Sequence, residues 1–268
     1  MFPLRFPPRR PQKQRVCMNM TQDFYNKLAT HYHKLFLNWE STTQEQAGIL
    51  SKIFVDRGYD CSARILDCAC GIGTQAIGLA SLGYQVTASD ISQQEIEQAQ
   101  IRAKENNVQI DFVQANFCTL SQSFSQSFDI VIAMDNALPH MLSSADLEIA
   151  VQSIVHQVKN GGLFVASIRD YDSILKEKPS YSPPYIHKTD QGQRVSFQTW
   201  EWKGENYKLI QYIIDDEAHL ELNKFECEYR ATTRDELTRL LLSAGCSEVA
   251  WEFPQTTGFY QPIVIATK

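Results

Sequence analysis

The chain reads as an α/β fold: a doubly wound parallel sheet, with helices ahead of it and an antiparallel strand insertion within it. Three observations predict this. Ile65-Leu66-Asp67 is a short apolar strand ending in an acid, followed by the small-residue loop Cys68-Ala69-Cys70-Gly71-Ile72-Gly73 that runs into a helix. The next strand, Gln85–Ala88, also ends in an acid, Ser89-Asp90. Strand and helix patterns then alternate to residue 168, as they do where crossover helices join parallel strands.

Ahead of the sheet, Phe24, Leu28, Tyr32, Leu35 and Phe36 recur at helical spacing from Thr21, and a second helix falls near Gln44–Phe54. Tyr25, Tyr32 and Trp39 share a face if the first helix continues. Such a stripe serves either as core or as a cover closing on a ligand. Strand one covers 64–69, helix 74–82 stops at Gly83, and strand two covers 85–89. Ser92 and Glu95 form a capping box for helix 93–105. Strand three is Ile110–Gln114. Strand four, Phe128–Met134, is apolar enough for a buried parallel strand. A helix at 144–158 closes at Asn160-Gly161-Gly162, before strand five at Leu163–Ile168.

Pro179, Pro183 and Pro184 mark a loop that opens an insertion over about 180–230. Val195–Trp202 and Tyr207–Ile214 flank the hairpin turn Lys203-Gly204-Glu205-Asn206. In His219–Tyr229 the apolar positions switch from Leu220 and Leu222 to Phe225, Cys227 and Tyr229, which predicts a bulge near Asn223–Lys224. Thr233 and Glu236 cap a helix at 234–244 that Gly245 ends, and Glu248–Phe253 and Ile263–Thr267 complete the strands.

At 268 residues, 43% hydrophobic and 21% charged, the chain suits one large α/β domain, here 21–268, with its insertion. A formal net charge of −6 repels phosphate backbones and disfavours nucleic acid as a partner. No apolar run is long enough to span a bilayer, so no membrane partner is expected. Seven scattered cysteines suit a reducing, cytoplasmic setting. Cys68 and Cys70 are too close for a usual zinc site and have no histidine beside them, so they read as small loop residues and no metal is expected. Residues 1–18 carry Arg5, Arg9, Arg10, Lys13 and Arg15, four prolines and no acid, which opposes both a helix and a packed core. Residues 1–20 therefore read as a disordered basic tail. A targeting segment, or a true start at Met18 or Met20, are the alternatives.

The chemistry concentrates at the carboxyl ends of the strands, where parallel sheets bind ligands. The Gly71/Gly73 loop lets a ligand approach the backbone, and Asp90 can accept hydrogen bonds from ribose hydroxyls. Gly71, Gly73 and Ala76 also fit a dinucleotide pattern, but Asp67 would repel a pyrophosphate and attract an ammonium or sulfonium. After strand three, Asn116 can accept from an adenine amino group with Phe117 stacked beside it; an ordinary turn asparagine is the other reading. After strand four come Met134-Asp135-Asn136 and His140, without the Asn/Asp-Pro-Pro-aromatic motif of enzymes that methylate nucleic-acid bases. After strand five, Arg169 either clamps a substrate carboxylate or pairs with Asp170 or Asp172.

The Asp67-x-Ala69-x-Gly71-x-Gly73 spacing resembles the first motif of the class I S-adenosylmethionine-dependent methyltransferases, whose sheet is a seven-stranded Rossmann-like one. Asn116-Phe117, Asn136-x-x-x-His140, Arg169-x-Tyr171 and the strand insertion are similar to the glycine/sarcosine N-methyltransferase branch over residues 21–268. The resemblance implies S-adenosylmethionine as cofactor, in a site containing Tyr25, Trp39, Asp67, Gly71, Gly73 and Ile91. It implies that Ala69 meets the methionine end through its backbone, Asp90 the ribose, Asn116 and Phe117 the adenine, and that the Met134 carbonyl meets the cofactor's amino group. Asn136 and Arg169 would address the substrate, with Tyr212 and Tyr260 lining its pocket. His140 would lie near the transfer point, in a direct or a merely structural role.

The chain departs from that branch in three places. Asp135 replaces a glycine, Asp170 replaces an asparagine, and Thr42 or Thr43 replaces an arginine near the cofactor carboxylate. The two added acids suit a bulkier or more cationic amine than glycine. The expected activity is methyl transfer to the amine of a small carboxylate-bearing molecule, and a homo-oligomer is compatible with it. An O- or C-methyltransferase, a nicotinamide-dependent oxidoreductase and a non-catalytic cofactor-binding protein are the alternatives.

Overall fold

A computed structural model describes residues 12–189, 192–216 and 218–268. The chain begins with α1 (Gln12–Leu28), a 3-10 turn at Tyr32–Leu35 and α2 (Trp39–Val55). The alternating part follows: β1 (Arg64–Asp67), α3 (Thr74–Ser81), β2 (Gln85–Asp90), α4 (Gln93–Glu105), β3 (Asp111–Gln114), β4 (Phe128–Ala133), α5 (Ser144–Gln157) and β5 (Val158–Ser167). After α6 (Tyr171–Glu177) come β6 (Tyr185–Thr189), β7 (Gly192–Lys203), β8 (Asn206–Asp215) and β9 (Glu221–Arg230). The chain ends with α7 (Arg234–Ser243), β10 (Glu248–Glu252), α8 (Pro254–Thr257) and β11 (Ile263–Thr267).

Seven strands form one sheet in the order β3-β2-β1-β4-β5-β11-β10. The first five are parallel, and β11 runs antiparallel to both β5 and β10. Alternation divides the strand side chains between two faces. Ile65, Ile130 and Ile132 pack with Leu50 and Phe54 of α2 and Leu79 of α3. Leu66, Val131 and Ala133 pack with Leu147 and Ile154 of α5 on the other face. β6–β9 form a second, antiparallel sheet whose Tyr207, Leu209 and Ile213 join that latter core. No described helix is long and apolar enough to cross a membrane.

Several boundaries differ from the sequence reading, each for a local reason. Helix α1 begins at Gln12 rather than Thr21, because the prolines stop at Pro11 and nothing after it breaks a helix. Of the tail expected over residues 1–20, residues 12–20 are therefore helical, and residues 1–11 lie outside the described residues. The first helix does not continue through Trp39: it ends at Leu28, so Tyr25, Tyr32 and Trp39 fall in three separate elements. Helix α2 starts early because the Asn38 side chain accepts from Ser41 N–H. Asn160-Gly161-Gly162 do not cap α5. They lie in the irregular start of β5, where its register against β4 shifts. The insertion has four strands, not three. β9 pairs with β8 in one continuous register from Asn206↔Arg230 to Asp215↔Glu221, so the bulge at Asn223–Lys224 is absent. Leu220 and Leu222 are simply exposed, at 72% and 67%.

The segment after α1 and the second sheet are tied together. Lys34 Nζ pairs with Asp215 at 2.6 Å, and Arg194 Nη2 donates to the Phe36 carbonyl at 2.8 Å. Helix α3 lies so close to α2 that a Cβ on Gly78 would sit 2.6 Å from both the Thr43 carbonyl oxygen and the Ala47 Cβ. Alanine favours a helix interior over glycine by roughly 0.5–1 kcal/mol. Here the overlap is with backbone, so Gly78→Ala is expected to lower stability by about 1–3 kcal/mol, measured by urea unfolding.

Candidate active site

Two connected cavities open at the carboxyl ends of the parallel strands. The inner one lies between the loop after β1 and Tyr25 of α1. It follows the loop from Cys68 to Ile72 and passes Asp90, Asn116 and Met134. The outer one lies between the parallel sheet's edge and the second sheet, and contains Arg169, Gln198, Trp200 and Tyr260. Tyr25, Tyr32 and Asp135 line both, so the cavities meet there.

The loop is shaped by hydrogen bonds from its own backbone. Gly71 N–H donates to Asp90 Oδ2 and Ser92 N–H to Asp90 Oδ1, both at 2.9 Å. A carboxylate has about four acceptor sites, so Asp90 keeps capacity for a ligand. Asp67 is fully buried beneath the loop. Its Oδ1 accepts from Ala69 N–H at 3.3 Å, and its Oδ2 meets no donor among the described residues. Burial, with Asp90 and Asp135 adding to it, pushes the Asp67 carboxyl up to about 8. Burial raises Asp90 and Asp135 as well.

Glu95 is a third acid below the loop, fully buried, with neither oxygen bonded among the described residues. The expected capping box is therefore half made. Ser92 Oγ accepts from Glu95 N–H, but Ser92 N–H goes to Asp90 instead of the Glu95 carboxylate. Among the described residues lining the inner cavity there is no lysine or arginine. The buried acids beneath and beside the loop suit a cationic group beside a nucleoside.

Of the residues expected at the cofactor, Tyr25, Ala69, Gly71 and Asp90 border the inner cavity, as do Ile91, Asn116, Phe117 and Met134. Asn116 also serves the turn, its Oδ1 accepting from Cys118 N–H at 2.9 Å. Asp67, Gly73 and Trp39 do not border it. Gly73 makes the turn at φ +93°, and a Cβ there would fall 2.8 Å from Ile77 Cδ1. Trp39 is buried behind the loop, where its Nε1 donates to Thr74 Oγ1 at 3.0 Å and Arg102 lies over its ring. Burial raises the Cys68 and Cys70 thiols well above their ordinary values, so both stay protonated.

In the outer cavity Arg169 forms no ion pair among the described residues. Its Nη1 donates to Tyr207 Oη at 2.8 Å, its Nη2 to Gln198 Oε1 at 3.0 Å, and its N–H to Asn136 Oδ1 at 3.1 Å. The guanidinium carbon lies 5.0 Å from the Trp200 ring centre and 5.4 Å from that of Tyr229. Asp170 and Asp172 pair with Arg234 instead. Asp170 borders the cavity, but its carboxylate is engaged there and by Ser173, so it is not the added acid at an amine site.

Tyr212 does not line either cavity. It projects from the opposite face of β8, stacked on Phe197 at 4.8 Å, because alternation turns Leu209, Gln211 and Ile213 inward and Tyr212 outward. Tyr260 does border the outer cavity and donates to Asp135 Oδ1 at 2.8 Å. His140 Nε2 is 2.9 Å from Tyr25 Oη, with its ring on Tyr229, and burial holds its pKa down to about 3. A neutral imidazole there fixes Tyr25. Gln198, Trp200 and Tyr207 were not singled out from the sequence. The available signal was strand alternation, which puts 198 and 200 on the inward face.

Residues 65–162 match the model of a methyltransferase domain. A glycine/sarcosine N-methyltransferase of Aphanothece halophytica is 23% identical over 213 residues, covering 80% of this chain and 76% of that one. The glycine N-methyltransferase of Homo sapiens is 32% identical over 177 residues, covering 61% of this chain and 56% of its own length. A solved S-adenosylmethionine-dependent methyltransferase from Clostridium acetobutylicum has a TM-score of 0.69 at 14% identity, over 94% of this chain and 98% of that one.

The buried acids tie ligand binding to pH. Asp67 lies far above its unfolded value of about 3.9, so the stability it supplies is complete below about pH 4 and is lost as pH rises to about 8. A cationic ligand reverses that loss by favouring the carboxylate. The affinity for S-adenosylmethionine is therefore expected to rise between pH 6 and 8, by up to roughly tenfold per unit for one released proton. Asp67→Asn should flatten this slope, weaken binding, and make the ligand-free protein more stable at pH 8. Calorimetric titration and thermal unfolding across pH check the three outcomes together.

Proposed function

We propose that this chain, which belongs to the class I S-adenosylmethionine-dependent methyltransferases, places the methyl group on the amine of a small carboxylate-bearing molecule, of the kind glycine and sarcosine represent. The carrying observation is Arg169: a guanidinium facing a cavity, braced by neutral partners and left without a carboxylate among the described residues. A substrate carboxylate supplies the missing anion through two charge-assisted hydrogen bonds. The named relatives, two of them glycine or glycine/sarcosine N-methyltransferases, support the same reading.

S-adenosylmethionine, when bound, supplies a methyl on a sulfonium whose departure leaves a neutral thioether. In this reading Asp90 holds the ribose, Asn116 and Phe117 the adenine, and the Ala69 backbone with the Met134 carbonyl the methionine end. Asp67 and Glu95 stabilise positive charge from beneath the loop. The chain's remaining work is orientation. Tyr207, Gln198 and Asn136 hold Arg169, and Arg169 holds the substrate so that its amine faces the junction of the cavities. Tyr25 and Tyr32, backed by His140, close that junction against water.

S-adenosylhomocysteine formation, measured with glycine, sarcosine and dimethylglycine offered separately, tests this. At least one should turn over, and Arg169→Ala should lower its kcat/KM by about 10- to 100-fold, mainly through KM, with cofactor affinity unchanged. Wild-type protein that binds the cofactor but methylates none of the three would remove the amino-acid substrate and leave the family membership standing.

A further inference from the structure

Asp135 stands at the meeting point of the two cavities, and the mechanism above does not use it. Its Oδ2 accepts from Gln75 Nε2 at 2.9 Å and its Oδ1 from Tyr260 Oη at 2.8 Å. Gln75 is fixed in turn by Gln46 Oε1 at 2.6 Å, and Asp135 N–H donates to Ser167 Oγ at 2.8 Å. The carboxylate is thus held from α3 and from the loop before β11 by two neutral donors. Neither is a cation, and Asp135 forms no ion pair among the described residues.

We infer that Asp135 is an ammonium subsite that receives the substrate amine and accepts its proton before transfer. This rests on the substrate reading above: Arg169 takes the carboxylate end and Asp135 the amine end of one zwitterion. In the step, an ammonium N–H bond breaks, its electron pair stays on nitrogen, and the proton goes to an Asp135 oxygen. The nitrogen lone pair then forms the N–C bond while the S–C bond breaks and its pair passes to sulfur. The product leaves as a methylated ammonium, and Asp135 returns its proton to water.

The groups facing Asp135 make it a suitable acceptor. Gln75 comes from α3, Tyr260 from the loop before β11, Tyr32 from the turn after α1 and Asp67 from the tip of β1; the charge of Arg169 acts on Tyr260. Burial raises its carboxyl while the Gln75 and Tyr260 hydrogen bonds pull it back down. Raised proton affinity at a buried carboxylate improves a general base at neutral pH.

The test is kcat/KM for sarcosine as a function of pH, at S-adenosylmethionine concentrations saturating at every pH, in wild type, Asp135→Asn and Tyr260→Phe. Wild type should be level from neutral pH up to the pKa of the substrate amine, because the ammonium form is the one bound. Asp135→Asn should rise about tenfold per pH unit, because only free amine then reacts, and fall roughly 100-fold below wild type at pH 7. Tyr260→Phe should keep the level profile with a smaller loss. Parallel profiles in wild type and Asp135→Asn overturn the inference. If wild type methylates no amino acid, the substrate reading fails on its own, and calorimetry with methylammonium added to the S-adenosylhomocysteine complex decides this point. Binding that is lost in Asp135→Asn supports the subsite, and equal or absent binding in both proteins overturns it.

Discussion

The site depends on ionisable groups withdrawn from water without an ion-pair partner among the described residues. Taking a charge out of water is expensive unless a partner compensates it. Over most of this chain the compensation is internal: Arg234 takes Asp170 and Asp172, Lys34 takes Asp215, and Arg230 takes Glu236. Around the two cavities it is not. Asp67, Glu95 and Asp135 form no ion pair among the described residues, with Arg102 acting on Glu95 only at longer range, and Arg169 has no anion. Acids gather at the nucleoside end and at the junction, while the guanidinium sits in the outer cavity. That separation is a template for a cation at one end and a zwitterion across the other.

Holding charges in this way requires rigid neutral supports and exclusion of water, and the two parts outside the parallel sheet provide both. The second sheet contributes Gln198, Trp200, Tyr207 and Tyr229 around Arg169. The N-terminal segment contributes Tyr25 and Tyr32 above the loop. The Lys34–Asp215 pair and the Arg194–Phe36 hydrogen bond join these two parts into one cover. The parallel sheet therefore supplies acids at its strand tips, and the cover turns them into a low-dielectric site where they count for more.

Much of this was legible in the sequence because it is local. Strand tips, the glycine loop, and the caps at Ser92 and Thr233 are set by spacing a few residues wide, and each lies where that spacing puts it. What was not legible depends on tertiary choice. Trp39 sits behind the loop because the helix breaks at Leu28, and helical spacing alone does not reveal a break. Tyr212 was placed by resemblance, whereas the sheet's alternation turns it away and brings Gln211 inward. The apparent bulge in β9 came from reading Leu220 and Leu222 as buried, when they are exposed apolar residues. Arg169 illustrates the limit best. Its neighbours Asp170 and Asp172 offered an equally good local partner, and only the position of Arg234, from a distant helix, resolves that choice.

The turn after β4 shows how an acid can enter such a site without rebuilding it. Asp135 and Asn136 both adopt left-handed backbone, at φ +55° and +68°. Most L-residues pay about 1–2 kcal/mol there, and asparagine and aspartate are the tolerated exceptions besides glycine. The backbone at position 135 thus requires a residue that tolerates left-handed φ. Among the residues that meet it comfortably, aspartate alone carries a charge. Glutamate would bring the same group but lacks the short side chain that makes left-handed backbone tolerable. The backbone conformation thus restricts what can be added at the meeting point of the cavities. The partners Gln75 and Tyr260 then hold the carboxylate that this position admits.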